Sequence, residues 1–154
     1  MVKHMTTQAH RGAILHFLND PDKVPLEESY QYLPDGLLFI KDGLVLELGS
    51  YDTLSKKLTA DVELHEHEDA LLLPGFVDTH IHYPQTEMIA AYGEQLLEWL
   101  ETYTFPTESK FADITYAEKI SKIFLNELLR AGTTTALVFG TVHPTSVEAL
   151  FTEA

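Results

Sequence analysis

The stretch Pro74-Gly-Phe-Val-Asp-Thr-His-Ile-His82 decides the fold and the chemistry that the sequence predicts. From Phe76 onward it is typical of a β-strand, in which successive side chains point to opposite faces. His80 and His82 are then predicted on one face, about 7 Å apart along the chain at a rise of roughly 3.3 Å per residue. Two neutral imidazoles so placed can close on one divalent ion. Asp78 lies one step deeper on that face, where it would orient a ligand imidazole or remain a buried, hydrogen-bonded carboxylate.

The alternative for such a His-x-His pair is two strand histidines that face water. Two features favour a metal site instead: the opposite face is apolar, and the pair lies at the strand's C-terminal end, where barrel active sites form. A hydrolytic metal usually has three or more protein ligands. No other His or carboxylate stands at an obvious ligand position. The remaining ligands are therefore expected beyond Ala154, and no catalytic residue is predicted within the chain.

The residues after this strand predict a βαβ arrangement. A helix is expected over about 94–103, ended by Phe105-Pro106. The next helix is expected to begin with a Thr115-x-x-Glu118 capping box and to stop at Gly132. Residues 133–140 predict a strand buried on both faces, and Thr145-x-x-Glu148 a second capping box.

This order of elements predicts an α/β fold with a parallel sheet or barrel over residues 74–154. A (β/α)₈ barrel takes roughly 250 residues, and two of its eight strands are recognisable here. The last helix breaks off about two turns after its start. The sequence therefore predicts a truncated polypeptide.

Residues 1–73 predict a separate region of short strands and turns. Apolar residues alternate over 13–18, and Lys41-Asp42-Gly43 joins two apolar runs, 36–40 and 44–48, as a hairpin. A Pro- and Glu-rich loop is expected from Pro25 to Pro34. A short helix is expected over 52–58 and a further strand over 62–67.

Composition excludes several classes of function. The 154 residues carry 10 Lys+Arg against 24 Asp+Glu, a formal charge of −14, which argues against nucleic-acid and anionic-membrane partners. The absence of cysteine excludes disulfides, thiol nucleophiles and Cys-ligated zinc. No apolar run approaches the roughly 20 residues of a membrane span, and Met1–Met5 lacks a signal-peptide core. A soluble, cytoplasmic protein is expected.

Four other sites have two interpretations each. His65-Glu66-His67 repeats the His-x-His spacing among carboxylates, and a solvated edge is predicted there rather than the metal site. His143 would line the site mouth or cap the last helix. Gln85 offers a donor and an acceptor suited to a heterocycle edge, or it is an exposed loop residue. Trp99 and Tyr103 would be core residues or cover the pocket.

The 74–82 motif resembles the first barrel strand of the amidohydrolase superfamily. Within it, the chain is similar to the guanine deaminase family in four further motifs, over about residue 70 to the end and more weakly back to Arg11-Gly12. Those motifs are His82-Tyr-Pro-Gln85, Gly93-Glu-Gln-Leu-Leu-Glu-Trp-Leu100, Tyr103-Thr-Phe-Pro-Thr-Glu108 and Arg130-Ala-Gly-Thr-Thr-Thr-Ala136.

The resemblance implies a metal-dependent (β/α)₈ barrel that starts in residues 74–154. Residues 1–73 would be the N-terminal part of a small β-sandwich completed by the other end of a longer chain. His80 and His82 would bind one zinc ion, with iron as the alternative. His82, Tyr83, Pro84 and Gln85 would line the substrate pocket, with Gln85 on the purine.

The implied reaction is hydrolytic deamination of guanine to xanthine and ammonia, by a full-length protein that is a homodimer and binds neither nucleic acid nor membrane. Further ligands, the proton shuttle and an Arg-Phe pair that holds guanine would lie downstream, so this segment alone is expected to be inactive. Two alternatives stay open. One is an amidohydrolase acting on another heterocycle or a nucleoside, and the other is a non-catalytic fragment or interaction module.

Overall fold

The computed structural model describes residues 6–93 and 95–154. The expectations for the Met1–Met5 segment and for a helix start at Glu94 lie outside the described residues. The chain divides into two compact units, one through Pro74 and one from Gly75 to Ala154. Each unit is described by itself.

The first unit is built on a four-stranded sheet in the order β3-β2-β1-β4. The elements are β1 (Thr7–Phe17), α1 (Leu26–Ser29), β2 (Tyr30–Lys41), β3 (Leu44–Ser50), α2 (Tyr51–Leu54), a 3₁₀ turn (Ser55–Lys57) and β4 (Val62–Leu72). β1 pairs antiparallel with β2 and parallel with β4, and β2 pairs antiparallel with β3. Its core is formed by Ala9, Leu37, Phe39 and Leu54.

The predicted hairpin is confirmed at β2 and β3. Lys41 pairs with Leu44, and the two residues between them have positive φ, 52° at Asp42 and 77° at Gly43. Positive φ at both positions is the type I′ pattern, whose twist matches that of the flanking strands. The predicted short helix after the hairpin is also confirmed, as α2 and its 3₁₀ turn.

The predicted loop over Pro25–Pro34 is wrong, because α1 occupies Leu26–Ser29 and β2 begins at Tyr30 and includes Pro34. The register between β1 and β2 shifts between Gly12 and Ile14, and Pro34 lies at that irregularity. A proline has no N–H to donate, and a bulge is where a sheet tolerates it.

The second unit contains the parallel pair of β5 (Phe76–His82) and β6 (Thr133–Phe139). Between them lie a 3₁₀ segment (Tyr83–Met88), α3 (Leu96–Trp99), a π-helical segment (Leu100–Thr104), α4 (Phe105–Ser109), a 3₁₀ turn (Lys110–Ala112) and α5 (Ile114–Arg130). The chain ends with α6 (Pro144–Glu153). The predicted parallel strands and the long helix between them are confirmed.

The predicted helix end at Phe105-Pro106 is wrong, since helical structure continues to Ala112. Pro106 lies in the first turn of α4, where backbone N–H groups make no intrahelical hydrogen bond. The lack of an N–H on proline therefore costs no hydrogen bond there. The π-helical segment just before it changes the hydrogen-bond pattern, so Pro106 does not interrupt a regular α-helix.

The predicted capping boxes are wrong in position. Asp113 caps α5: its Oδ1 accepts from the backbone N–H of Thr115 at 2.8 Å and of Tyr116 at 3.4 Å. The helix therefore starts two residues earlier than predicted, and the N–H of Ala117, which a Thr115 cap would have satisfied, bonds to the backbone oxygen of Asp113. α6 begins at Pro144, directly after His143. The predicted stop at Gly132 is confirmed, with φ 84° in the left-handed region.

The core of the second unit packs α5 and α6 against one face of the strand pair. Its buried residues are Tyr83, Phe111, Ala117, Ile120, Phe124 and Ala149. Val138 packs against this core, whereas Leu137 and Phe139 on the other face of β6 are 63% and 46% exposed. The prediction that β6 is buried on both faces is therefore wrong for this chain. Among the described helices, none combines the length and apolarity needed to cross a membrane.

Candidate metal and substrate site

His80 and His82 lie at the C-terminal end of β5 with their rings on one side. Their Nε2 atoms are 3.0 Å apart and the ring centroids 5.1 Å apart. The register between β5 and β6 shifts between Asp78 and Ile81, so a bulge lies at Thr79 and His80, at the start of the His-x-His segment. Bulges re-aim side chains. The bulge and the strand alternation together leave the two imidazole nitrogens facing each other.

The spacing of the two nitrogens fits a shared divalent ion. Nitrogens bound at about 2.0–2.1 Å lie roughly 2.9 Å apart at a right angle and roughly 3.4 Å apart at a tetrahedral angle. The observed 3.0 Å falls between these values, so a small rotation of the rings would seat both on tetrahedral zinc. Within residues 6–93 and 95–154, no group of three or more His, Asp or Glu is arranged to hold a metal. The pair can therefore supply two ligands of a site that needs more.

Phe139 forms an aromatic support under both imidazoles. Its ring stacks on His82 with centroids 4.6 Å apart and an interplanar angle of 8°, and lies 4.9 Å from the His80 ring. Phe139 ends β6 as the register partner of His82. Sequence reasoning missed this residue. The available signal was an aromatic at the end of the neighbouring parallel strand, level with the second histidine.

The Asp78 side chain forms a hydrogen bond with the backbone at the bulge. Its Oδ1 accepts a hydrogen bond from the backbone N–H of His80 at 2.9 Å. Of the two interpretations open for this carboxylate, the hydrogen-bonded one matches the geometry, although Asp78 is half-buried rather than buried. The contact fixes the backbone from which the His80 ring projects.

Gln85 lies on the 3₁₀ segment after β5 and is held by Glu108 of α4. Its Nε2 donates to Glu108 Oε1 at 3.2 Å, and both residues are half-buried. A carboxylate accepts only, so the amide N–H₂ is turned to Glu108 and the amide oxygen is left for another donor. Gln85 also lines a cleft of about 530 Å³ together with His80, His82 and Trp99.

Tyr83 and Pro84 differ from Gln85 in accessibility. Tyr83 is 0% exposed, with its ring edge-on to Phe111, and its hydroxyl donates to the backbone oxygen of Ser146. Burial raises the pKa of the Tyr83 phenol. Pro84 is also fully buried. In this chain these two side chains anchor the turn that presents Gln85.

The same turn is tied to the helices by Glu87. Its Oε2 accepts from the Tyr116 hydroxyl at 2.6 Å and from Lys110 Nζ at 3.0 Å. These two contacts, the tyrosine hydrogen bond first, lower the pKa of the Glu87 carboxyl. Burial and the same carboxylate raise the pKa of Tyr116.

The remaining candidates lie in varied surroundings. Trp99 is half-buried, and its Nε1 donates to Ala91 O at 3.0 Å. Tyr103 is 37% exposed, so the core prediction for Tyr103 is wrong.

His143 occupies the cap position of α6, where its backbone oxygen rather than its ring accepts from Ser146. β4 is an edge strand of its sheet and its carboxylates are exposed, as predicted, but His65 and His67 are half-buried because they stack against His10. Cross-strand contact with β1 shields them.

Comparisons with known proteins bear on the family to which the chain belongs. The chain is 47% identical over 152 residues to guanine deaminase of Escherichia coli (strain K12), covering 97% of this chain and 34% of that protein. The crystal structure of guanine deaminase from Bradyrhizobium japonicum matches with TM-score 0.86 and 40% identity, over 97% of this chain and 33% of that one.

The structure of guanine deaminase from C. acetobutylicum with bound guanine in the active site matches with TM-score 0.72 and 26% identity, over 95% of this chain and 33% of that one. The chain thus spans about a third of the length of the curated relatives it matches. The sequence model of the amidohydrolase family matches residues 71–154, more than half of the chain. The chain belongs to the amidohydrolase family.

Proposed function

We propose that the full-length protein containing this chain is a guanine deaminase, which hydrolyses guanine to xanthine and ammonia. The observation that carries the proposal is the His80–His82 pair, 3.0 Å apart at Nε2, beside the amide of Gln85 in one cleft. Similarity to guanine deaminases over nearly the whole chain supports the choice of substrate.

His80 and His82 would hold one zinc ion, with iron as the alternative. When bound, such an ion polarises and acidifies water, which is the chemistry that a hydrolytic deamination needs. Ring stacking on Phe139 holds the orientation of the imidazoles, and the hydrogen bond to Asp78 holds the backbone that carries His80. Residues beyond this chain would complete the ligand set and supply the proton shuttle.

Gln85 would bind the purine through its amide oxygen. Because Glu108 takes the N–H₂ group, the free oxygen accepts a hydrogen bond from a ring or amino N–H of the base. His82 would line the pocket beside it. Tyr83 and Pro84 would contribute through the backbone of the turn, since their side chains are buried.

The architecture proposed for the whole protein follows from the two units. Residues 74–154 would be the first two βα units of a (β/α)₈ barrel. The parallel pairing of β5 and β6 and the exposed face of β6 support this, because the first two strands of a barrel leave one face uncovered until the later strands close it. Residues 1–73 would be part of a composite β-sandwich. A cytoplasmic homodimer that binds neither nucleic acid nor membrane completes the proposal. The charge of −14 supports the exclusion of nucleic-acid and anionic-membrane partners.

The test is an ammonia-release assay on purified, zinc-loaded, full-length protein. Guanine should be turned over, while a chlorotriazine, adenosine and a cyclic amide should not. Turnover of one of those substrates with guanine untouched would contradict the proposal and identify a different amidohydrolase. Absence of turnover with every substrate would favour a non-catalytic role.

A further inference from the structure

A second group of histidines lies in the first unit, on adjacent parallel strands. In the β1–β4 register His10 is opposite His65, and Gly12 is opposite His67. The His10 ring stacks against His65 with centroids 4.9 Å apart and against His67 with centroids 5.3 Å apart. His10 Nδ1 and His67 Nε2 are 3.0 Å apart. These residues play no part in the proposed deamination.

We propose that His10 and His67 form a second binding site for a borderline divalent ion of the Cu²⁺, Ni²⁺ and Zn²⁺ group, completed by solvent. Imidazole nitrogens suit these ions, and the 3.0 Å separation is within the range that two nitrogens take on one ion. The ion takes the place of the proton shared by the two nitrogens. That proton moves to the other nitrogen of its ring, so both imidazoles stay neutral.

The backbone is arranged to bring the two rings together. A Cβ at Gly12 would lie 3.0 Å from the backbone oxygen of His67 and 3.2 Å from its Cβ, so glycine at this position allows the close approach. The register of β1 and β4 shifts directly after the Gly12–His67 pair, and Asp69 has φ 53°. A bulge of this kind re-aims side chains and is common beside functional sites. His67 also lines a cleft of about 590 Å³ at the bulge, which gives solvent access.

The electronic state of the cluster favours ligation over protonation. Burial, then the neighbouring His65 and His67, lower the pKa of His10 below its ordinary 6.5. A ligand imidazole must be neutral, and these surroundings keep it so near pH 7. His65 Nε2 is buried and makes no hydrogen bond, with Glu63 Oε1 3.4 Å away outside hydrogen-bond geometry. His65 therefore supports the pair by stacking.

The test uses the full-length protein with His80→Ala and His82→Ala, which removes the histidine pair of β5. Cu²⁺ is titrated calorimetrically, and nitrogen coordination is read by electron paramagnetic resonance. One equivalent should bind with two imidazole nitrogens. His67→Ala should weaken binding by more than about 100-fold, because the loss of an outer contact costs only about 10–100-fold. His16→Ala is the matched control, because His16 is a half-buried histidine of β1 that bonds to Gln31. The Cu²⁺ affinity of this variant should not change.

Two results would overturn the proposal: no Cu²⁺ binding in the double-alanine background, or binding that His67→Ala leaves unchanged. Far-UV circular dichroism establishes that each variant is folded. If His67→Ala unfolds, His67→Gln keeps the bulk of the side chain and replaces it in the titration, with the same expected loss.

Discussion

Glu108 is expected to determine which end of the Gln85 amide the substrate meets. Replacing Glu108 with Ala removes the acceptor 3.2 Å from Gln85 Nε2 and leaves the amide free to turn over. A hydrogen bond to a charged group contributes about 1.5–3 kcal/mol. The length of this bond and its half-buried position place it at the lower end, about 1.5 kcal/mol, or roughly tenfold in kcat/KM.

The assay is steady-state deamination of guanine by the full-length protein, with metal content measured on the same samples. We expect Glu108→Ala to raise KM more than it lowers kcat, because the lost contact orients the binding amide and does not act on the reacting bond. Glu108→Gln, which still offers an acceptor oxygen, should lie between wild type and Glu108→Ala.

The matched control is Glu101→Ala, which removes an exposed carboxylate on the π-helical segment before α4. Its kinetics should match wild type. The reasoning is refuted if Glu108→Ala leaves KM unchanged, or if it lowers kcat and metal content together, since Glu108 would then act on the metal rather than on Gln85.

Three further predictions concern metal, stability and pH. His82→Ala in the full-length protein should abolish zinc retention and guanine turnover with circular dichroism unchanged; near-normal turnover would remove His82 from the ligand set. Asp113→Ala should lower the free energy of unfolding by about 1 kcal/mol, because the N–H groups of Thr115 and Tyr116 lose their acceptor. A melting temperature equal to wild type would contradict that role. With chelator present, unfolding free energy should fall as pH drops below about 6.5, because unfolded His10 takes up a proton more readily than folded His10. His10→Gln should reduce this dependence of the unfolding free energy on pH, measured by denaturant titration at several pH values, and an unchanged dependence would contradict the prediction. Glu63 favours the charged form of His10 and so opposes the effect.

Local patterns were sufficient to predict β5, the β2–β3 hairpin and the Gly132 stop. Each depends on neighbouring residues: the two-residue alternation, a two-residue turn with positive φ, and a left-handed residue after the helix. The helix start was missed because Asp113 and Thr115 are both good caps, and only the backbone path decides which side chain reaches the free N–H groups.

The contacts that position the candidate site depend on long-range register. Phe139 meets His82 because β5 and β6 pair in parallel, and Glu108 meets Gln85 because a π-helical segment carries the chain past Pro106. Neither follows from spacing along the sequence. The His10–His67 contact joins residues 57 positions apart, through the parallel pairing of β1 and β4.

The shared His80–His82 metal site is tested most directly by anomalous diffraction at the zinc edge from crystals of the zinc-loaded, full-length protein. We expect one strong peak within about 2.0–2.1 Å of the Nε2 atoms of both His80 and His82. A zinc ion bound elsewhere, with these two imidazoles turned away from each other, would contradict it.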